Sequence, residues 1–331
     1  MKTTALPSLA ALLALIVLPA HAAVNIDYVT VGDLGNANDS TGFGAVAYSY
    51  QIGKYEITNA QYAEFLNAGD PNGTNPNGIY NTNMGSNEHG GISFDSGAAA
   101  GSKYAVKTNM GDKPVIYVSF LDGERFANWM NNGQGSGSTE SGAYDMTQSA
   151  STVVHDISAT VWIPTENEWY KAAYYQPVGA GGPSDSYWLY PTRSDTVPTI
   201  ATAGTTGIIS NPGTNVANYF FGADWNGQDG NVTTVGSAGP LSASYYGTFD
   251  QGGNVFEWNA GVIGSDRGLR GGGWLFTEDN LRSSGFGFGP PESESVYSGF
   301  RLASVTPEPS SLALLGVTFG LLSSRRNRKT P

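Results

Sequence analysis

The stretch that decides the fold reads GNVFEW at 253–258 and LRGGGW at 269–274. The apolar residues of both segments predict strands, the second continuing to Leu275. The three consecutive glycines let the backbone pass close to another segment, which a side chain would prevent. Trp258 and Trp274 are expected in the core, because each ring can bury ~150–250 Å². Both motifs therefore have a structural interpretation before any chemistry is considered.

Three short helices are predicted upstream of these motifs. Two of them begin at capping boxes, T-x-x-Q at 58–61 and T-x-x-E at 165–168, whose side chains satisfy the first backbone N–H groups. The remaining helix places Phe126 and Trp129 on one face and ends at the NNG of 131–133. The three helices do not recur at a constant spacing, so the chain is not a solenoid.

The rest of the chain is assigned to strands and loops by the same kind of pattern. An alternation at 48–58 and short apolar runs at 115–118, 161–164 and 299–303 predict strands. Segments rich in Asn, Gly and Ser show no period and are predicted to be surface loops, at 70–112, 133–151 and 177–253.

The composition predicts a globular domain with an aromatic core. The chain has 45 Gly, which favours loops, but 7 Trp, 18 Tyr and 14 Phe can bury a large area. It has no Cys, which excludes a disulfide framework, thiol nucleophiles, thiolate metal sites and iron–sulfur clusters. No haem is expected either.

The N-terminus has the order of a secretory signal peptide. Lys2 precedes an apolar run from Leu9 to Leu18, and an A-x-A cleavage site follows at 20–22. A buried N-terminal helix is the alternative, but charge, apolar run and small-residue site come in the secretory order. We assign residues 1–22 to a signal peptide and 23–45 to a lead-in segment.

The C-terminus carries PEP at 307–309, an apolar run at 312–322 and the basic cluster RRNRK at 325–329. This order resembles the PEP-CTERM sorting tail of exopolysaccharide-producing Gram-negative bacteria. The resemblance implies transient anchoring in the inner membrane, removal of the tail (residues 305–331) by an exosortase-type sorting protease, and a product at the cell surface or in the extracellular matrix. A permanent anchor is the alternative, because 305–324 just reaches the ~20 residues of a membrane span.

The remaining chain is strongly acidic. The two ends hold five of the 16 Lys and Arg residues and one of the 28 Asp and Glu residues, which leaves 11 and 27 and a mature charge of about −16. Such a surface repels nucleic acid and anionic membranes and is compatible with divalent cations. We therefore expect no nucleic-acid partner, and membrane contact only through the tail.

Four further motifs occur in order with the two at 253–274: GKYEITNAQY at 53–62, PVIYVSF at 114–120, IPTENEW at 163–169 and GFRLA at 299–303. Together they resemble the formylglycine-generating enzyme, or sulfatase-modifying factor, family. The resemblance covers a domain at about 46–304. It implies an α+β, C-type-lectin-like fold that is low in regular secondary structure, with short helices and small antiparallel sheets.

The chain departs from that family where its chemistry lies. The resemblance implies two cysteines after Trp274 that, in aerobic members, bind copper and oxidise a substrate cysteine to formylglycine. Here the segment reads LFTEDNLRSS at 275–284. Copper(I) selects soft sulfur ligands, which Phe276 cannot supply, so the copper mechanism is absent. Relatives that form sulfur–carbon bonds hold iron with histidines, whereas the mature chain has only His89 and His155, expected to be solvated loop residues.

Calcium is the cofactor that the resemblance supports. Hard cations bind carboxylate, amide and carbonyl oxygens. Carried over from the family, one site would use backbone oxygens of Gly252, Gly253 and Val255 with the carboxylate of Glu257. A second site would use Asn218, Tyr219, Asp229 and Asn231. The alternative is that these acidic residues belong to ordinary solvated turns.

Two functions of different class remain open. The first is an exported binding module for a peptide or polysaccharide, with a groove lined by Arg270, Trp274, Phe276, Asp279, Asn280 and Arg282. It rests on the missing cysteines and on the export signals, since a fold alone does not give function. The second is a protein-modifying enzyme with cysteine-independent chemistry, in which Glu278 and Asp279 would do acid–base work. The same acids also fit a polar turn, which favours the binding module.

Overall fold

A computed structural model describes residues 23–307 of the protein. The predicted signal peptide and all but the first three residues of the predicted tail lie outside the described residues. The fold is α+β and low in regular secondary structure, as predicted. None of its helices within 23–307 is long and apolar enough to cross a membrane.

The described chain has short elements joined by long irregular segments. The helices are α1 (Asn59–Gly69), α2 (Asn83–Ser86), α3 (Phe120–Asn131) and α4 (Glu166–Tyr174). The strands are β1 (Tyr28–Val31), β2 (Tyr50–Gly53), β3 (Ile92–Phe94), β4 (Tyr104–Val106), β5 (Val161–Trp162), β6 (Thr199–Ile200), β7 (Val216–Ala217), β8 (Phe256–Ile263), β9 (Asp266–Arg270), β10 (Gly287–Gly289), β11 (Ser298–Phe300) and β12 (Ala303–Ser304).

Two four-stranded sheets organise the fold. The first has the order β1-β2-β12-β5 and joins both ends of the domain, because Ile52 lies opposite both Val29 and Ala303. The second has the order β10-β9-β8-β11. The prediction of antiparallel sheets is wrong in two places, since β11 runs parallel to β8 and β6 parallel to β7.

All three predicted helices are confirmed as α1, α3 and α4. The predicted capping boxes are present; at the start of α4, the Glu168 N–H donates to Thr165 Oγ1 at 3.2 Å and the Thr165 N–H to Glu168 Oε2 at 2.7 Å. Helix α3 has a third capping box, between Ser119 and Asp122. The sequence pattern misses it because Asp, rather than Glu or Gln, stands at the third helical position.

The predicted strand at 115–118 is wrong, although the segment is buried. The Val115 N–H donates to Ile57 O at 2.8 Å, and the Tyr117 N–H donates to Ser295 O at 2.9 Å. Tyr117 has a φ of 60°, in the left-handed region, which ends any extended pairing there. Similarly, the second strand at the glycine motif stops at Arg270, because Gly271 and Gly272 have φ of 94° and 71°.

The prediction of a plain surface loop at 70–112 is also wrong. This segment contains α2 and the β3–β4 hairpin and buries Met84, Ile92 and Tyr104. Apolar stretches of three or four residues between Asn and Gly are too short to show a period. The segment therefore belongs to the core, where it packs beside α1.

The core is aromatic, as the composition predicted. Tyr62 of α1 stacks on Phe126 of α3 at 6.1 Å between ring centroids, and Phe65 lies 5.4 Å from Trp129. Phe300 of β11 packs against Phe126 at 5.6 Å. These contacts fix α1 and α3 against the second sheet, which carries the β8–β9 hairpin and the segment that follows it.

Candidate ligand-binding surface

The two glycine-rich motifs pack directly against each other. The Gly253 N–H donates to Gly271 O at 2.8 Å, and the Trp274 N–H donates to Asn254 O at 2.9 Å. A Cβ on Gly271 would lie 2.6 Å from Gln251 O, which confirms the predicted need for glycine. This frame fixes the backbone at 271–276, where the family's cysteine-bearing segment would begin.

A strained turn lies opposite that backbone. Phe220 and Phe221 have φ of 52° and 57°, values that bulky residues avoid. The Phe220 N–H donates to Phe276 O at 2.9 Å, and the Phe221 N–H donates to Trp274 O at 2.8 Å. Their side chains are 54% and 44% exposed. Packing in the core therefore explains only in part why phenylalanine stands at these two positions. Strain of this kind costs of order 1–3 kcal/mol per residue and concentrates at functional sites.

Two groups of rings lie next to this turn, one around Trp274 and one around Phe276. Trp274 packs edge-on against Phe221 at 5.6 Å and stacks with His89 at 4.7 Å between ring centroids. Phe276 packs edge-on against Tyr297 at 5.0 Å and against Phe256 at 4.8 Å. We define the aromatic surface as His89, Phe220, Phe221, Trp274, Phe276 and Tyr297.

The aromatic surface has an acidic rim. Glu88 and Asp229 are exposed beside His89, whose Nε2 lies 3.2 Å from Gly230 O, and Asp279 follows Phe276 closely in the chain. Burial lowers the pKa of His89, so its ring is neutral at pH 7. Lys107 lies near Glu88, and Arg282 lies 3.8 Å from Asp279. Three carboxylates against two cations leave a net charge of −1, which favours a ligand that carries positive charge.

The structure separates the six residues of the predicted groove. Phe276 and Trp274 both belong to the aromatic surface, of which Trp274 is the buried member, at 4% exposure. Arg270 is buried instead, with Nε 2.5 Å from Glu166 Oε1 and Nη1 donating to Ser283 O at 2.8 Å.

The other three predicted residues form a polar turn. The Asn280 N–H donates to Thr277 O at 3.1 Å, and Arg282 Nη1 lies 3.8 Å from Asp279 Oδ1. Arg270 pairs with Glu166, not with Glu278 or Asp279, the two carboxylates of the acid–base alternative.

Sequence reasoning missed four members of the aromatic surface. Phe220 and Phe221 lie in a predicted loop, and two adjacent phenylalanines in a loop were the signal that could have pointed to this site. Both His89 and His155 were expected to be solvated, but each stacks on a tryptophan, Trp274 and Trp162 respectively, at 4.7 Å. Tyr297 gave no signal in the sequence, because only the fold brings it to Phe276.

The residues of the first predicted calcium site lie on a buried turn that already has a cation. Glu257 Oε2 accepts from Arg301 Nε at 2.6 Å and from Trp169 Nε1 at 2.8 Å. Its Oε1 accepts from Arg301 Nη2 at 2.7 Å. Gly252, Gly253 and Val255 are buried beside it. The guanidinium neutralises Glu257, so this donor set fits a structural ion pair better than a calcium site.

Two further acids share the Arg301 pocket. Burial raises the pKa of Glu56, and its Oε2 has no hydrogen-bond partner within the described structure. Burial also raises the pKa of Asp250 to about 6, although its Oδ2 accepts the Gly236 N–H at 2.5 Å. Three carboxylates thus lie near one arginine, and burial favours the neutral form of both Glu56 and Asp250.

The second predicted calcium site has one free buried acceptor. Asn218 Oδ1 is buried and has no hydrogen-bond partner among residues 23–307. Tyr219 O accepts the Gly222 N–H at 3.2 Å, and Asn231 O accepts from Asn218 Nδ2 at 2.9 Å. Asp229 is exposed nearby in the chain. The part of the chain described contains no metal-binding cluster of three His, Cys, Asp or Glu, so a cation here would depend on amide and carbonyl oxygens.

Comparisons with known proteins agree with this frame. Residues 41–306 match the sulfatase-modifying factor enzyme 1-like domain. Hercynine oxygenase of Mycolicibacterium smegmatis is 25% identical over 285 residues, which are 77% of this chain and 53% of that protein. The chain thus spans about half the length of this curated relative.

Two solved structures are similar to this chain at low sequence identity. CarF is 18% identical over 86% of this chain and 99% of its own, with a TM-score of 0.51. Treponema denticola variable protein 1 is 20% identical over 87% of this chain and 98% of its own, with a TM-score of 0.49. The likeness to CarF shows the fold alone.

The C-terminal residues 305–329 match the PEP-CTERM protein-sorting motif. This motif indicates export with membrane-anchored sorting in Gram-negative bacteria and processing by exosortase-type machinery. The match at 41–306 covers most of the chain. The protein therefore belongs to the sulfatase-modifying factor enzyme 1-like family, and it is an exported member without cysteine.

Proposed function

We propose that the domain is an extracellular binding module whose ligand lies on the aromatic surface. The observation that carries the proposal is the turn at Phe220 and Phe221, where two exposed rings are held at positive φ by hydrogen bonds to Trp274 and Phe276. An exposed side chain on a strained backbone contributes little to the stability of the unbound protein. This supports a role for the two rings in contact with a ligand. Phe276 adds a ring in the segment where the family's redox chemistry would need thiols.

The chemistry of the surface favours a polypeptide segment with Lys or Arg side chains. Faces of aromatic rings attract cations, and the attraction increases when the pair is desolvated. The carboxylates of Glu88, Asp229 and Asp279 add long-range attraction for the same charge. An anionic polysaccharide would be repelled by this rim, and a neutral glycan would gain only from the rings.

A paired screen tests this proposal. The exported protein is applied to an array of peptides that vary in basic and aromatic content and to an array of neutral and anionic glycans. We expect retention on basic peptides. Hydrogen exchange with the best peptide should then show protection at 218–222 and 274–281. Binding to glycans alone would contradict a peptide ligand. Protection of other segments would contradict binding on the aromatic surface.

We also propose that Ca²⁺ binds at the loop that carries Asn218 and Asp229. The unpartnered Oδ1 of Asn218 supports this site, as does the oxygen-rich run that follows it. The same loop leads directly into Phe220, so a bound ion would stabilise the strained turn. Calcium would thereby act on ligand binding through the backbone of 218–221.

A further inference from the structure

The sorting tail leaves the fold beside exposed apolar residues. Ser304 of β12 pairs with Val161 of β5, and the Val305 N–H donates to Thr160 O at 3.1 Å. The loop just before Thr160 contains Val154 and Ile157, which are 75% and 100% exposed. Val305 itself is 45% exposed. We call these three aliphatic side chains, Val154, Ile157 and Val305, the exit face.

The loop that carries the exit face is a built part of the fold. Arg267 is buried, and its Nη2 and Nε donate to Val153 O at 2.6 Å and to Ala150 O at 2.8 Å. The Asp156 N–H donates to Ala143 O at 2.7 Å, and His155 stacks on Trp162 at 4.7 Å. The loop is thus held at its base and its middle while its aliphatic side chains remain in solvent.

The length of the tail limits what can cover this face. Six residues lie between Val305 and Leu312, where the apolar run of the tail begins, so the two positions are at most ~25 Å apart. While the tail is anchored, this end of the domain therefore stays next to the bilayer. We propose that the exit face rests on the lipid surface during that stage, with Val154 and Ile157 inserted among the headgroups.

The contact depends on the tether. The mature chain carries about 27 acidic and 11 basic residues, so it has no general electrostatic attraction to membranes. Two or three aliphatic side chains bind weakly alone, but a short tether gives them a high effective concentration at the bilayer. The contact would hold the PEP sequence at 307–309 at the height of the membrane, where a sorting protease acts, and would be lost once the tail is cut.

The absence of cysteine allows a direct test with the chain from residue 23 to its C-terminus. Ile157→Cys introduces a single thiol on the exit face. Ile208→Cys is the matched control, because Ile208 is also an exposed isoleucine, at 53%, and lies in a different hairpin. Each variant is labelled with an environment-sensitive fluorophore and inserted through its tail into phosphatidylcholine vesicles that contain nitroxide-labelled lipid.

We expect the label at 157 to shift to shorter emission wavelengths and to be quenched several-fold more by the lipid nitroxide than the label at 208. Equal quenching of both labels would overturn the proposal. A shift at 157 without quenching would also overturn it, because the face would then be covered by protein, such as a second copy of the chain. Neither variant removes a buried group, so loss of folding is not expected to confuse the result.

Discussion

Glu257 shows how a sequence pattern can identify a residue without revealing the partner that it contacts in the fold. Its place in the GNVFEW motif predicted a calcium ligand, but the pattern could not reveal that Arg301 lies 2.6 Å away. The partner is distant in sequence, and only the parallel pairing of β8 and β11 brings it there. The same limit applies to Phe220 and Tyr297, whose neighbours are set by the fold. Local signals such as the capping residues needed no such information.

Replacement of Glu257 by Gln should destabilise the protein strongly. It breaks the buried ion pair of Arg301, which costs about 3–5 kcal/mol of the free energy of unfolding, because Glu56 and Asp250 share the pocket but form no ion pair with this guanidinium. Urea unfolding of the variant and the wild type, each with Ca²⁺ and with chelator, measures this loss of free energy. As control, Glu140→Gln breaks the more exposed pair with Arg125 and should cost about 0–1 kcal/mol. A deficit of Glu257→Gln that disappears in chelator would instead make Glu257 a calcium ligand.

Glu294 should make stability depend on pH. Its Oε2 accepts from Asn81, and burial with the neighbouring Asp122 raises its pKa to about 7. Unfolding returns that pKa to about 4.3. The stabilising contribution is therefore complete below the unfolded pKa and is lost as pH rises through 7.

Glu294→Gln keeps a neutral amide at this position and removes the titration. Melting temperatures of the variant and the wild type are measured from pH 4 to pH 8. The difference, variant minus wild type, should become more positive between pH 4.5 and 7.5. A difference that stays constant over this range would exclude Glu294 as the group responsible.

Among the elements, helices with capping boxes were predictable because their signals lie within four residues. Strands of two to four residues were predicted less well: β2 and β5 fall within the predicted segments 48–58 and 161–164, but others were missed, since their position depends on partners elsewhere in the chain. The segment 115–118 illustrates this, because it is apolar and buried but ends at a positive φ at Tyr117. The segment 70–112 illustrates the reverse, because its hairpin has too few apolar residues to be recognised.

The capping box of α4 should contribute measurably to the free energy of unfolding. Thr165→Ala removes the acceptor for the Glu168 N–H and should cost about 1 kcal/mol. Thr165→Ser, which keeps a hydroxyl, is the control and should leave stability nearly unchanged, because Ser is at least as good an N-cap as Thr. Chemical denaturation at constant pH compares them. Equal stability of all three proteins would show that the cap is replaced by other contacts.

The loop at 218–231 should respond to calcium if the ion binds there. An ion that binds only the folded state adds ~2.7 kcal/mol at 100 times its dissociation constant. Chelator should therefore lower the melting temperature of the wild type. Asp229→Asn removes an exposed carboxylate and should reduce this response, whereas Asp279→Asn, at the other end of the rim, should not. A wild-type melting curve that chelator leaves unmoved would refute the site.

At the scale of the whole molecule, the order of six motifs was sufficient for the fold, because each motif fills a fixed place in one packed core. The site was only partly predictable. The segment at 275–284 could be located, and its lack of thiols excluded copper chemistry. The aromatic surface could not be located, since it joins residues from four separated parts of the chain. The charge could be predicted as a total, but its distribution around these rings depends on the fold.

The central claim is that the aromatic surface binds a basic polypeptide, and one affinity comparison tests it most directly. Phe220→Asn with Phe221→Asn removes both rings, and Asn tolerates positive φ. The control, Phe286→Asn with Phe288→Asn, removes two rings of similar exposure, 54% and 53%, that lie at β10 and outside the aromatic surface. Calorimetric titration with the best basic peptide should show affinity reduced on the order of tenfold or more in the first variant and unchanged in the control, with both proteins folded. Equal affinity of the first variant and the wild type would contradict the account.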